Sequence, residues 1–157
     1  ACLSLTGQNY GALKYDRIRE GYLVCLKYGL ILLVGGSLLI YYGAGYFMSI
    51  FTNDEKVIKI GINYLQIAAL FTPILAVLNI SIALMQGVKM PNFTVFISLF
   101  KEVAGAVIII WIICFYLNYQ LQGIWFAILI TNYLSVIMFL LIVNYKMKSL
   151  GLKIFKI

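Results

Sequence analysis

The sequence has no histidine, two prolines and five acidic residues among 157 positions. Without histidine there is no imidazole for acid–base catalysis or metal ligation. Two prolines, Pro73 and Pro91, are too few for a polyproline recognition segment. Charged residues make up 11 %, where about 25 % is usual in soluble domains. Disorder is excluded as well, because it needs low hydrophobicity and high charge, and here 64 % of residues are hydrophobic. A small soluble fold leaves too much of itself on the outside to hide that much apolar surface. The remaining solvent is a lipid bilayer.

Cysteine is scarce too. Cys2, Cys25 and Cys114 are far apart and show no CxxC or metal-ligand spacing, so they read as small buried hydrophobes. The stretch Gly7-Gln8-Asn9-Tyr10-Gly11 lacks the lysine and hydroxyl residue of a phosphate-binding loop. No GxSxG and no paired-carboxylate arrangement occurs. The expectation is no catalytic residue, no metal, no cofactor and no enzyme.

What is present is a series of long uncharged runs. They cover 26 residues between Lys27 and Asp54, 29 between Lys59 and Lys89, and 43 between Glu102 and Lys146. A spanning helix takes about 20 apolar residues. The first two runs hold one span each, and the third divides at the polar stretch Asn118–Gly123. The sequence therefore predicts an all-α polytopic membrane bundle, with four full spans at about 24–51, 60–88, 93–117 and 123–145. A partial helix at 1–12, a connector at 13–23 and a tail at 146–157 complete the reading. The uncharged opening, Ala1 to Thr6, looks like the tail of a helix, so the chain is expected to be a piece of a longer membrane protein. Open sheets are excluded because lipid leaves their edges unpaired.

Net charge is +7, and ten of the twelve lysines and arginines fall on alternate sides of these crossings from the other two, Lys56 and Lys59. The positive-inside rule then places 13–27, 88–92 and the tail in the cytoplasm, and 52–59 and 118–122 outside. Partners expected from the charge are anionic membrane lipids rather than nucleic acid. Tyr41, Tyr42, Tyr46, Phe47 and Phe51 near one end of the first span, and Tyr116, Tyr119 and Trp125 around the outer turn, suit the bilayer interface.

Several residues stand out within the spans. Gly29, Gly36 and Gly43 lie seven apart in the first, a spacing that favours close helix packing. Pro73 sits in the middle of the second and is expected to kink it. Thr72, Asn79 and Gln86 follow at seven-residue steps as a polar stripe beside that kink, and polar groups in lipid face protein or a wet cavity. The stripe is either a substrate path or a set of interhelical hydrogen bonds. Glu102, next to Lys101, lies inside the third span. It is a candidate coupling or gating residue, or a carboxyl that is simply neutralised or paired. The charged stretch Lys14–Glu20 reads as a solvated, topology-setting connector.

Four landmarks in order carry a family resemblance. Gly7-Gln8-Asn9-Tyr10-Gly11-Ala12, with the basic stretch after it, resembles the "GQN-GA" that closes the eighth helix of the multidrug and toxin extrusion (MATE) family. Phe51 to Val57 is similar to that family's outer loop, Met85–Pro91 to its "LQG-x-x-x-x-P" turn after the tenth helix, and Gly123–Ala127 to the "G-x-W-x-A" that opens the twelfth.

The resemblance implies a cation-coupled antiporter of twelve helices in two lobes. It would export drugs or toxic organic compounds by alternating access across the plasma membrane. This chain would supply the end of the eighth helix through the twelfth, with a cytoplasmic C-terminus. Its partners would be the missing N-terminal lobe, membrane lipids and a small organic substrate, expected to be cationic. The coupling ion would be H+ or Na+. The sequence departs from the pattern at Leu75, where some branches carry a carboxylate, which favours coupling in the first lobe. A lipid-linked oligosaccharide flippase of related architecture is the alternative within transporters, although more cationic residues would be expected within its spans. A stand-alone membrane scaffold is the alternative outside transporters.

Overall fold

The computed structural model describes residues 1–113, 120–149 and 151. Cys114, Tyr116, the Asn118–Tyr119 part of the expected outer turn, and the tail lysines Lys153 and Lys156 lie outside the described residues. Helices make up nearly all the rest: α1 (Cys2–Gly11), α2 (Tyr15–Phe51), α3 (Glu55–Gly87), α4 (Pro91–Leu99), a π-helical segment (Phe100–Gly105), α5 (Ala106–Trp111) and α6 (Gln120–Ser149). Among the described residues, four helical stretches are long and apolar enough to cross a membrane, at Tyr15–Phe51, Glu55–Gly87, Pro91–Trp111 and Gly123–Ser149. The chain is an all-α bundle of membrane helices preceded by a shorter helix.

α3 is the hub. It packs against α1, α2, α4 and α6. Its core partners are Ile18 and Tyr22 of α2, Ile97 of α4, and Val136, Phe139, Val143 and Met147 of α6, which gather around Leu78, Leu84, Met85 and Val88. The first two explain why α2 starts nine residues before the expected span at 24. Ile18 and Tyr22 lie one turn apart on one face and are both fully buried, so burial holds Tyr15–Leu23 in the helix although its other face is charged. Asp16, Arg17 and Glu20 occupy that exposed face.

The termini follow from local chemistry. Asp54 caps α3, its carboxylate accepting from the backbone N–H of Lys56 at 2.9 Å and of Val57 at 3.4 Å. Pro91 opens α4 at the first helical position, where its missing N–H costs nothing. α1 and α3 end alike. Leu13 (φ +58°) and Lys89 (φ +59°) adopt the left-handed conformation. The following N–H reaches back to the helix, Lys14 to the Asn9 carbonyl at 2.9 Å and Met90 to the Met85 carbonyl at 3.0 Å. Both are Schellman closures without the usual glycine.

Among the described residues the glycine face of α2 meets few neighbours. A methyl group at Gly29 would meet Ile80 of α3, whereas one at Gly36 would meet nothing and one at Gly43 would meet Phe47 of the same helix. A close helix approach that reaches the backbone is elsewhere. A Cβ on Gly87 would fall 2.6 Å from Cβ and Cγ2 of Thr6 and 3.2 Å from the Gly7 nitrogen, so the glycine lets α1 seat on the end of α3. Cys2 is buried on the same contact, its thiol 3.8 Å from the Ile80 carbonyl.

Candidate functional site

The polar stripe of α3 divides into two kinds of residue. Thr72 is half-buried and its hydroxyl donates to the Ala68 carbonyl, one turn back, at 2.8 Å. Its hydrogen bond is thus satisfied within its own helix. Asn79 and Gln86 are exposed on the surface of the bundle, and neither side chain bonds to another described residue. Pro73 sits inside a helix that continues unbroken to Gly87, and its missing N–H leaves the Ala69 carbonyl without its intrahelical donor. Leu75, at the position of the absent carboxylate, packs against the apolar core.

The third span is not a plain α-helix. It opens into the π-helical turn Phe100–Gly105 where its two charges sit, a distortion that is rare and often functional. Lys101 Nζ and Glu102 Oε1 are 2.8 Å apart, with Glu102 at 68 % exposure and Lys101 at 21 %. Adjacent residues on a regular helix diverge by about 100°, and here the two side chains nevertheless meet.

The structure brings Gln86 and Glu102 together. Both line a groove of about 310 Å3 between α3 and the third span, along with Ile82, Thr94 and Ser98. Thr72 and Asn79 are not among its walls. The groove offers an amide and two hydroxyls on apolar walls, with one carboxylate that Lys101 pairs with in this conformation. Such a set suits an amphipathic group bearing a hydrogen-bond donor or a positive charge. Among the described residues no cluster of cysteine, aspartate and glutamate is arranged to hold a metal.

One polar cluster has no counterpart in the sequence reading. Thr131, Asn132 and Ser135 are buried in α6. Each returns a hydrogen bond to a carbonyl one turn back, at 2.7, 2.8 and 2.7 Å respectively. Asn132 Oδ1 is left without a partner. The available signal was the pairing of Thr131-Asn132 with a serine three and four residues on, polar groups on one face of an otherwise apolar span.

The MatE family model matches residues 1–112. Among solved structures, the fold is similar to an inward-facing multidrug resistance MATE family transporter of the MOP superfamily, with TM-score 0.89, 21 % identity, and coverage of 96 % of this chain and 35 % of that one. An outward-facing multidrug resistance MATE transporter gives TM-score 0.88 and 21 % identity over 96 % of this chain and 33 % of that one. A MOP superfamily transporter from Pyrococcus furiosus gives 0.89 and 20 % over 96 % and 34 %. The chain spans about a third of the length of these proteins. No curated protein matches it in sequence.

Proposed function

This chain belongs to the MatE family of membrane transporters, and from that membership we propose that it forms part of the second lobe of a cation-coupled antiporter exporting drugs or toxic organic compounds by alternating access. The carrying observation is the family match over residues 1–112. The proposal extends to the plasma membrane as location, a cytoplasmic C-terminus, H+ or Na+ as coupling ion, a small cationic organic substrate, and an N-terminal lobe as partner.

Two further observations support the reading. The chain resembles inward- and outward-facing relatives almost equally, with TM-scores of 0.89 and 0.88. That is what a lobe moving as a rigid body between the two states would give. The groove that joins Gln86 to Glu102 also supplies a carboxylate on an intramembrane helix, the kind of group that marks substrate and ion paths. In this reading Asn79 and Gln86 line the path, Thr72 and Pro73 shape the helix beside it, and Glu102 exchanges Lys101 for a cationic partner during the cycle.

The test is efflux of a cationic dye from cells expressing the chain with an N-terminal lobe. Asn79→Leu and Glu102→Gln are each expected to lower efflux about tenfold at unchanged expression and thermal midpoint. A lower midpoint with proportionate loss of efflux would instead assign Asn79 to packing. Wild-type efflux indifferent to both proton and sodium gradients would overturn the antiport reading.

A further inference from the structure

A second groove, of about 370 Å3, lies between α2, α3 and α6. Its walls are Tyr41, Asn63, Gln66, Leu70, Trp125 and Phe126, together with Ile67. Tyr41 and Leu70 also line a slot with Ser37, Leu38 and Ala69, so the two recesses, together the channel, adjoin along the α2–α3 seam. Nothing in the proposed transport path uses these residues. By helical rotation Asn63 stands about 160° from Asn79, on the far side of α3. Neither the Asn63 nor the Gln66 amide bonds to another described residue, although both lie within the length of a spanning helix.

The order of chemistry along the channel is its most informative feature. Lys59, Asn63, Gln66 and Leu70 are spaced four, three and four residues apart, which keeps them on one face of α3. Read from the end of the helix inward, that face presents an exposed ammonium, then two amides, then aliphatic carbon. Trp125, in ring contact with Tyr64 at 6.1 Å between centroids, stands at the level of the amides. From Lys59 to Leu70 the rise is about 16 Å, close to the depth from the headgroup layer into the hydrocarbon of one leaflet.

A glycerophospholipid presents the complementary sequence: an anionic phosphate, then ester carbonyls that accept hydrogen bonds, then an acyl chain. The geometry points to a glycerophospholipid site in this channel. Lys59 meets the phosphate, the Asn63 and Gln66 amides donate to the glycerol ester carbonyls, and one acyl chain lies along Tyr41, Leu70 and Leu38. The two unpaired amides argue for this occupant over an apolar protein segment, which would cover them without giving them partners, and the exposed Lys59 at the mouth matches the phosphate in charge.

The chain can be tested in phospholipid-free dodecyl maltoside micelles doped with phosphatidylglycerol carrying a mid-chain diazirine, so that no matrix phospholipid competes with the probe. After photolysis, adducts are mapped by mass spectrometry. Labelling at Tyr41, Leu70 and Phe126 should saturate at low probe fraction, while labelling of the exposed Tyr46 and Trp111 rises linearly. Combining Lys59→Ala, Asn63→Leu and Gln66→Leu should cut the channel adducts at least fivefold and leave Tyr46 unchanged. A diacylglycerol probe with the same diazirine should not saturate there. Linear labelling in the channel, equal capture of diacylglycerol, or no channel adduct because protein covers it would each overturn the proposal. The saturation arm needs no variant, and none of the arms depends on transport.

Discussion

The phenolic oxygen of Tyr22 lies 2.8 Å from the hydroxyl oxygen of Ser81, a buried hydrogen bond that ties α2 to α3 across 59 residues of chain. Both side chains are at most 1 % exposed, so neither has water to fall back on.

This pair should behave as a coupled unit. Tyr22→Phe and Ser81→Ala, alone and together, are expected to give a coupling energy of about 0.6 kcal/mol, with about 1.7 as the upper end for such bonds in membrane proteins. The measurement is a double-mutant cycle on reversible unfolding in mixed micelles. Additive effects would mean that the bond contributes nothing net.

Leu13 closes α1 in a left-handed conformation that costs a residue with a Cβ about 1 kcal/mol, and its side chain is 71 % exposed. Leu13→Gly is therefore expected to stabilise the protein by about that amount, less the extra chain entropy of glycine. A raised thermal midpoint in detergent is the expected reading. A lowered one would show that the leucine side chain contributes more than its backbone strain costs.

Asn132 is 5 % exposed and keeps one unpartnered acceptor. Leucine is similar in size and removes that acceptor, so Asn132→Leu should hold or raise the thermal midpoint, by up to about 1–3 kcal/mol in stability. Asn132→Asp should lower it, because a charge would replace an amide in the same dry place. A clear loss with leucine would reveal a hidden donor at Oδ1, such as an ordered water.

Orientation is read out by thiol labelling. In a chain whose three cysteines are replaced, Asn53→Cys should react with an impermeant maleimide added to intact cells, and Ser149→Cys only after permeabilisation. The opposite pattern would invert the proposed topology.

The spans were legible because lipid imposes a simple rule: long uncharged runs must become helices that satisfy their own backbone. What the rule does not govern was harder to read. Charge made Lys14–Glu20 look like a connector, yet Ile18 and Tyr22, hidden among those charges, bury a face and extend α2 through it. Seven-residue spacing marks Gly36 as a packing position but does not say which element supplies the neighbour, and among the described residues none lies within reach. At the candidate site, the depth of Glu102 was readable from its place between apolar runs. Its meeting with Gln86 in one groove was not, because that depends on how α3 and the third span cross. Thr131, Asn132 and Ser135 escaped notice because a span dense in leucine and isoleucine outweighs three short polar side chains.

The π-helical turn in the third span has a consequence for how the span tolerates a change in length. A ring closed from residue i to i+5 holds one residue more than an α-helical ring. α4 and α5 thus stand in the relation they would keep if one codon had been inserted between them and absorbed on the spot. Removing a residue from Phe100–Gly105 would let the turn close as ordinary helix and leave both halves facing as they do now. The same deletion inside α3 would swing everything beyond it by about 100°. The turn that holds Lys101 and Glu102 is therefore a place where a residue can be lost, and with it the charge pair's geometry, without re-aiming a helix.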